Sequence, residues 1–369
     1  MITQKKVAII GLGKMGVSHL AIANRTPGLD VIAACDSSAF IGSMIEKYCR
    51  IPFFAKFEQV LRLPELEAVI IAAPTRLHAD MIHMALEQGL HIFCEKPMTL
   101  SPAVSNALAE QAKAMALVGQ VGYHNRFVGT FREAKRLAST GAIGRVRHVH
   151  AEAYGPVVLE PAARTWRSKP AEGGGCLYDY AAHPINLMNW IAGRPTCCSG
   201  AQMTRQWSEE VEDAVYANLV FEEGVSGQVS VNWSDETARK MTTRITIVGD
   251  GGKIVADRQE LTAFLGARAR PTPGYLHGWN IKNVTELSPH PAFYLRGEEY
   301  SEQLEAFARA MTSPDAEQVN SFEDAADTDF TLELIRLATQ ADEQPAISRN
   351  GAAGIPARRP LFGRTLGFR

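Results

Sequence analysis

The first third of the chain alternates short, almost wholly apolar runs with stretches whose apolar residues recur every three or four positions. KKVAIIG, LDVIAACD, EAVIIAA, LHIFCEKP and LVGQVGY are the apolar runs. Lacking polar alternation, they read as strands buried on both faces, as in a parallel sheet. MGVSHLAIANR, LHADMIHMALEQG and SPAVSNALAEQAKAM lie between them with helical periodicity. The alternation predicts an α/β domain over residues 1–122, with a doubly wound parallel sheet and helices on both of its faces.

From Gly122 the pattern changes. FVGTFREAKRLAST predicts a helix that stops at Gly141, where glycine suits a left-handed cap. RVRHVHAEAY, AVYANLVFE, VSGQVSVNWS, MTTRITIVG and GKIVAD then read as strands. Alternation such as Val225, Gly227, Val229, Val231 suits antiparallel strands with one covered face. Glu223-Gly224 and Asp250-Gly251-Gly252 supply tight turns. EEYSEQLEAFARAM and SFEDAADTDFTLELIRLATQ predict helices near 299–341 that close a second, α+β domain spanning 123–344. Residues 345–369 hold five arginines, interleaved with Leu361, Phe362, Leu366 and Phe368, and no acid. They are expected to form a basic arm packed on a neighbouring subunit.

Composition narrows the function. Hydrophobic residues make up 46% and charged residues 21%, as in a water-soluble globular protein. A formal charge of −2 gives no reason to expect nucleic acid or an anionic membrane as partner. The six cysteines form no CxxC and no Cys/His ligand spacing, so neither a metal site nor a disulfide framework is expected. The N-terminal apolar run is too short for a signal sequence or membrane span, and a reducing cytoplasm is the expected compartment.

The first strand runs into GLGKMG, in which Gly11, Gly13 and Gly16 match G-x-G-x-x-G with Lys14 and Met15 inside the turn. The second strand ends at Asp36, 20 residues beyond Gly16, where a ribose-binding acid of a dinucleotide site falls. Close backbone approach and an open helix N-terminus suit a pyrophosphate. Asp36 would repel a 2′-phosphate, and Ser37 and Ser38 bring no cation to offset it, so NAD is favoured over NADP.

Lys96, in CEKP, closes a strand of the same sheet and points a cation at the crevice beyond the strand ends. Farther on, YDYAAHP follows Gly173-Gly174-Gly175 and sets Asp179 and His183 four residues apart. On one helix face the two are a turn apart. They read either as a catalytic pair or as a capped helix start with a satisfied histidine. Pro184 argues against one continuous helix, which is expected to begin near it with Asp179 in the preceding turn.

GLGKMGVSH, AAPTRLH, EKP, NRF with AKRLASTGAIGRV, Trp166-Arg167 and GGGCLYDYAAH occur in that order from residue 5 to about 340. Together they resemble the glucose–fructose oxidoreductase/inositol dehydrogenase/MocA family of oxidoreductases. The resemblance implies a Rossmann domain followed by an open, mostly antiparallel sheet that often forms an oligomer interface, here a dimer or tetramer. It implies Lys96 as hydroxyl activator, His183 as acid/base and Asp179 as its partner. Pro74, Thr75, His78 and Glu95 are implied in the cofactor crevice. Ala181 and Asn186 depart from the family's D-x-G-x-H-x-x-D, which puts one substrate carboxylate in doubt. His124, Asn125, Arg126, Tyr154, Trp166 and Arg167 are candidates for substrate or nicotinamide contact.

The expected activity is NAD-dependent oxidation of a secondary alcohol on a sugar, cyclitol or related polyol. A neutral imidazole takes the hydroxyl proton and an ammonium stabilises the alkoxide. Tyr123, Tyr178, Tyr180 and Trp166 would cover the C–H faces of a ring, and Arg126 and Arg167 leave room for an acidic group. Alternatives are a tightly held, recycled cofactor in sugar oxidoreduction, nucleotide-sugar ketoreduction or redox-assisted glycoside cleavage, and a non-catalytic NAD-binding regulatory subunit.

Overall fold

The computed structural model describes residues 4–159, 165–288, 293–313 and 316–341. The basic arm of 345–369 lies outside the described residues. The first elements are β1 (Lys5–Ile10), α1 (Lys14–Ala23), β2 (Leu29–Cys35), α2 (Ala39–Met44), β3 (Phe53–Phe54) and α3 (Phe57–Val60). They continue with β4 (Ala68–Ile71), α4 (His78–Glu87), β5 (His91–Cys94), α5 (Pro102–Ala114) and β6 (Gly119–Val121). The strands form one sheet in the order β3-β2-β1-β4-β5-β6, every pairing parallel. The strand order reverses between β1 and β4, and a crevice opens beyond their carboxyl ends.

The second region comprises α6 (Gly129–Ser139), β7 (Val146–Tyr154), α7 (Ala182–Ala192), β8 (Cys197–Thr204), β9 (Ala214–Val220) and β10 (Ser226–Asn232). β11 (Arg244–Gly249), β12 (Gly252–Asp257), β13 (Glu260–Leu265) and β14 (Gly278–Asn283) follow, then α8 (Val284–Leu287), α9 (Glu298–Thr312) and α10 (Phe322–Ala341). Its sheet has the order β14-β13-β12-β11-β7-β10-β9-β8, antiparallel except where β7 and β10 run parallel. The glycine at 141 takes a left-handed φ of 72°, as the sequence predicts. The apolar pattern passes over β3, β8, β13 and β14. β8 and β14 are the two edge strands and bury no residue fully, so neither has a core face for the sequence to show.

Burial explains the layers. Ala8, Ile10, Val69 and Ile71 turn to one face of the parallel sheet, beneath Ile82 and Leu86 of α4 and Leu108 of α5. Val7, Ile9, Ile70 and Phe93 turn to the other, beneath Leu20 and Ile22 of α1 and Leu304 and Phe307 of α9. Right-handed crossovers put α4 and α5 on the same face, and α1 alone cannot cover the opposite one. The late helix α9 fills that gap, its Phe307 ring edge-on to Phe93 at 5.9 Å. α9 was expected only to close the second domain. Instead it completes the core of the first.

In the eight-stranded sheet one face is buried: Val149, Ala151, Val229, Ile245, Ile247 and Ile254 pack with Ile185 and Met188 of α7. The residues between them, such as His150, Glu152 and Gln228, stay partly or fully exposed.

Candidate active site

The glycine turn after β1 is shaped by what glycine leaves out. Gly11 has φ 86°, and a Cβ there would meet the Ala72 carbonyl oxygen at 2.7 Å. A Cβ on Gly16 would lie 1.7 Å from the Gly11 oxygen. At Gly13 the same position is open space. Two glycines therefore bring strand and helix together, and the third leaves the approach to α1 clear. The start of α1 has no side-chain cap, so its first N–H groups face that space. Lys14 is exposed and Met15 half-buried beside it.

Asp36 accepts from Leu12 N at 2.6 Å through Oδ2 and from Ser38 N at 2.8 Å through Oδ1, which fixes its carboxylate at the end of β2 with Ser37 exposed next to it. Pro74 leads into a single turn, Thr75–Leu77, whose Thr75 is buried under Gly173. The His78 ring reaches from the Ala73 carbonyl (2.9 Å) to the Pro97 carbonyl (3.0 Å) and so ties the two crevice loops together from below. An open glycine, an uncapped helix start and an anchored carboxylate fit a dinucleotide: pyrophosphate at Gly11–Gly16 and a ribose diol at Asp36.

Lys96 stands at the end of β5. Its Nζ donates to the Asp179 carbonyl oxygen at 2.7 Å and to Asp179 Oδ1 at 3.1 Å, while Arg167 Nε donates to Oδ2 at 2.6 Å. Burial alone would raise the Asp179 carboxyl, but the charges of Lys96 and Arg167 outweigh it and hold the group below the usual range. The preceding residue, Glu95, accepts from His19 Nε2 at 2.7 Å. Burial raises Glu95 as well, and the His19 hydrogen bond, with Lys96 nearby, brings it below the ordinary value.

The glycine run makes this geometry possible. Gly173 and Gly175 have φ of 78° and 104°; a Cβ on Gly174 would lie 2.4 Å from the Arg167 oxygen, and one on Gly175 2.3 Å from the Glu212 carboxylate. Glu212 in turn accepts from Leu177 N at 2.9 Å. Asp179 sits in a widened turn, Leu177–Ala181, that runs straight into α7. The expected helix start near Pro184 is corrected: the widened turn and α7 form one continuous helical run from Leu177 to Ala192, with Asp179 inside it, and Pro184 is tolerated because the wide turn lies directly before it. Ala181 has φ −65° and needs no glycine.

His183 is buried, with its ring edge-on to Tyr123 (6.1 Å) and inclined to His124 (4.7 Å, 63°). His124 stacks on Tyr300 at 4.7 Å and 21°. Nδ1 of His183 and Nε2 of His124 are buried with no hydrogen-bond partner among the described residues. Burial, then the charges of Lys96 and Arg258, push His183 well below its ordinary value. Burial, then His183 and Arg258, do the same to His124. Both imidazoles are neutral at neutral pH and hold unspent hydrogen-bonding capacity.

Several sequence candidates lie elsewhere. Arg126 is buried, donates to Asn186 Oδ1 at 2.8 Å, pairs with Asp324 at 3.0 Å and lies over Trp190 at 5.3 Å, which leaves it nothing to offer a substrate. Asn186 thus answers an internal arginine, not the crevice. Tyr154 is on the outward face of β7 and donates to Glu152 at 3.0 Å. Tyr180 packs on Trp233 at 6.0 Å. Asn125 is buried and reaches Thr243 at 3.5 Å, and Trp166 lies exposed under Arg167 at 5.1 Å. Sequence reasoning missed Arg258, paired with Glu299, and Tyr300, because both come from segments far along the chain with no local motif. Among the described residues no three His, Cys, Asp or Glu side chains gather into a metal-binding group.

Comparison with known proteins decides the family. Residues 5–123 match the oxidoreductase family's NAD-binding Rossmann fold, and residues 131–255 match the GFO/IDH/MocA C-terminal domain. The chain belongs to the GFO/IDH/MocA oxidoreductase family. Its first domain is the family's NAD-binding domain. The chain is 29% identical over 267 residues to scyllo-inositol 2-dehydrogenase (NAD(+)) of Bacillus subtilis, a match covering 68% of this chain and 73% of that one. It is 25% identical to D-glucoside 3-dehydrogenase of Escherichia coli, over 59% and 67% of the two chains. Levoglucosan dehydrogenase in complex with NADH and levoglucosan shares the fold, with TM-score 0.81 at 22% identity over 92% of this chain and 98% of that one.

Proposed function

We propose that this protein is an NAD-dependent dehydrogenase that oxidises a secondary hydroxyl on the ring of a cyclitol or sugar, with Lys96 as hydroxyl activator and His183 as acid/base. The observation that carries this reading is the convergence of a fixed ammonium and a neutral imidazole whose Nδ1 has no partner among the described residues, beyond the strand ends of the cofactor domain. Asp179 holds Lys96 in place, and Arg167 donates to the other oxygen of the same carboxylate. Lys96 then stabilises negative charge on the substrate oxygen, and His183 accepts the hydroxyl proton as the C–O bond becomes a carbonyl. Bound NAD+ supplies the hydride acceptor. His124, stacked and neutral, offers Nε2 to a second ring hydroxyl. Relatives named for scyllo-inositol and D-glucosides support a polyhydroxy ring as substrate.

The same reading favours NAD over NADP, because Asp36 is anchored as a carboxylate and its neighbours Ser37 and Ser38 bring no cation. It also takes the chain as a homo-oligomer through the uncovered face of the eight-stranded sheet, where Phe264 and Trp279 stand exposed side by side at 5.3 Å. The test is NADH formation by purified protein with scyllo-inositol, myo-inositol, methyl glucoside and simple alcohols. Turnover on at least one cyclitol or pyranoside is expected. Activity confined to aliphatic alcohols or 2-hydroxy acids would overturn the reading.

A further inference from the structure

Asp329, on α10, is a buried carboxylate for which the chemistry above has no use. Its Oδ2 accepts from Thr99 N at 3.1 Å and from Ser105 Oγ at 2.7 Å, and the nearby Met98 N–H favours its ionised form. Its Oδ1 is buried with no partner among the described residues. Met98 and Thr99 follow Lys96 by two and three residues and are themselves buried. The same helix grips α7: Asn186 Nδ2 donates to Thr328 Oγ1 at 3.1 Å, and Asn189 Nδ2 donates to Thr331 Oγ1 at 3.0 Å. α10 thus holds the loop behind Lys96 with one residue and the helix of His183 with its neighbours.

We propose that Asp329 is the positioning residue for Lys96, anchoring the Met98–Thr99 backbone to the helix that also braces α7 and so setting the spacing of Lys96 and His183. The inference rests on the reading of Lys96 as hydroxyl activator. A neutral serine or asparagine could cap the same N–H groups without the penalty of a buried charge, so the acid must add something. What a carboxyl adds is a proton it can lose, so that the charge at this anchor, and with it the cost of burial, depends on pH.

Burial lifts the Asp329 carboxyl to about 7, against the hydrogen bonds that favour its ionised form. The titratable groups that feel its charge are Cys94, Tyr123 and Tyr178, all raised by burial and all neutral near pH 7. Because the folded carboxyl titrates above a free one, the anchored loop is held most firmly with Asp329 protonated, and as pH rises through about 7 the buried group ionises and the Lys96 loop loosens. Loss of the His183 base comes only at much lower pH, since that imidazole lies well below its ordinary value.

Two readouts test this. The first needs no substrate: acylation of Lys96 by acetic anhydride, followed by peptide mass spectrometry as a ratio to exposed Lys47. Asp329→Ala is expected to raise the ratio by roughly fivefold, the effect of losing one ordinary hydrogen bond. In the wild type the ratio rises as pH rises through 7. In Asp329→Asn, which keeps shape and an acceptor oxygen, it is flat. The second readout is turnover of NAD+ with the best polyol substrate. Asp329→Ala is expected to lower kcat by roughly ten- to a hundredfold with KM and NAD+ affinity unchanged, the scale of a small misplacement. Asp329→Asn restores most of kcat and lacks the limb near pH 7. Equal acylation ratios in all three proteins at every pH would overturn the proposal. A wild type inert on every polyol, but with the expected acylation pattern, would refute the dehydrogenase reading and leave the anchoring role standing.

Discussion

In the six-stranded sheet, Ala8 and Ile9 point to opposite faces and both are fully buried. In the eight-stranded sheet, Ala151 is buried while its neighbours His150 and Glu152 are not. The parallel sheet spends both faces on its core, so the only places left for chemistry are its strand ends, where Gly11–Gly16, Asp36, Glu95 and Lys96 gather. The second sheet spends one face. Its covered side supports α7 and brings His183 to the crevice, and its free side is open to another subunit. On the proposed reading, the difference puts cofactor binding in one region and proton transfer in the other, with Lys96 at the seam.

The strongest challenge to that division is to remove the chemistry and ask whether the cofactor notices. His183→Ala and Lys96→Ala are each expected to lower turnover by on the order of a hundredfold or more with NAD+ affinity intact, the size of a lost acid–base term. Calorimetric titration beside steady-state kinetics checks both. If NAD+ binding collapses with turnover, the regions are not separable.

The converse test attacks the first region. Gly16→Ala forces a Cβ against the Gly11 oxygen, 1.7 Å away in the present backbone, so strand and helix must separate. Overpacking of this kind costs about 1–3 kcal/mol, and a lower midpoint in urea together with lost NAD+ binding is expected. Unchanged stability would show that the β1–α1 approach is softer than its geometry. A milder probe is Asp36→Ala. Losing the ribose contact should weaken NAD+ by about tenfold, or about 1.4 kcal/mol, and erase the preference over NADP+. Dinucleotide titration reads it, and an unaltered NAD+/NADP+ ratio would remove Asp36 from the site.

The smallest effect belongs to the free face. Trp279→Lys, at a side chain 66% exposed, should change monomer stability by no more than about 0.5 kcal/mol. It is nonetheless expected to lower the mass seen by light scattering. An unchanged assembly would move the subunit contact elsewhere.

The parallel domain was legible because burial on both faces leaves nothing but apolar residues, and G-x-G-x-x-G with Asp36 is a local pattern. The strand-edge lysine and the Asp179/His183 pair were legible as residue types, but the expected interruption before Pro184 was not found, because a widened turn at Leu177–Ala181 carries the helix straight through. Edge strands β8 and β14 were not, since neither buries a residue fully and their apolar side chains do not mark a core face. Nor was the fate of Arg126, which sequence reading offered to the substrate and the fold gives to Asn186 and Asp324.

Local periodicity and short-range spacing thus specified the central strands of the two sheets, the cofactor turn and the candidate reactive groups, because each depends on residues within a few tens of positions. Long-range packing settled the rest. α9, near residue 300, covers a face of a sheet whose strands end by residue 121. Lys96 meets Asp179 across 83 positions, and Asp329 meets Thr99 across 230. Such contacts arise where crossovers leave a face uncovered or a buried donor unpaired, and whichever distant segment fills the gap lowers the free energy; no short stretch of sequence records that choice.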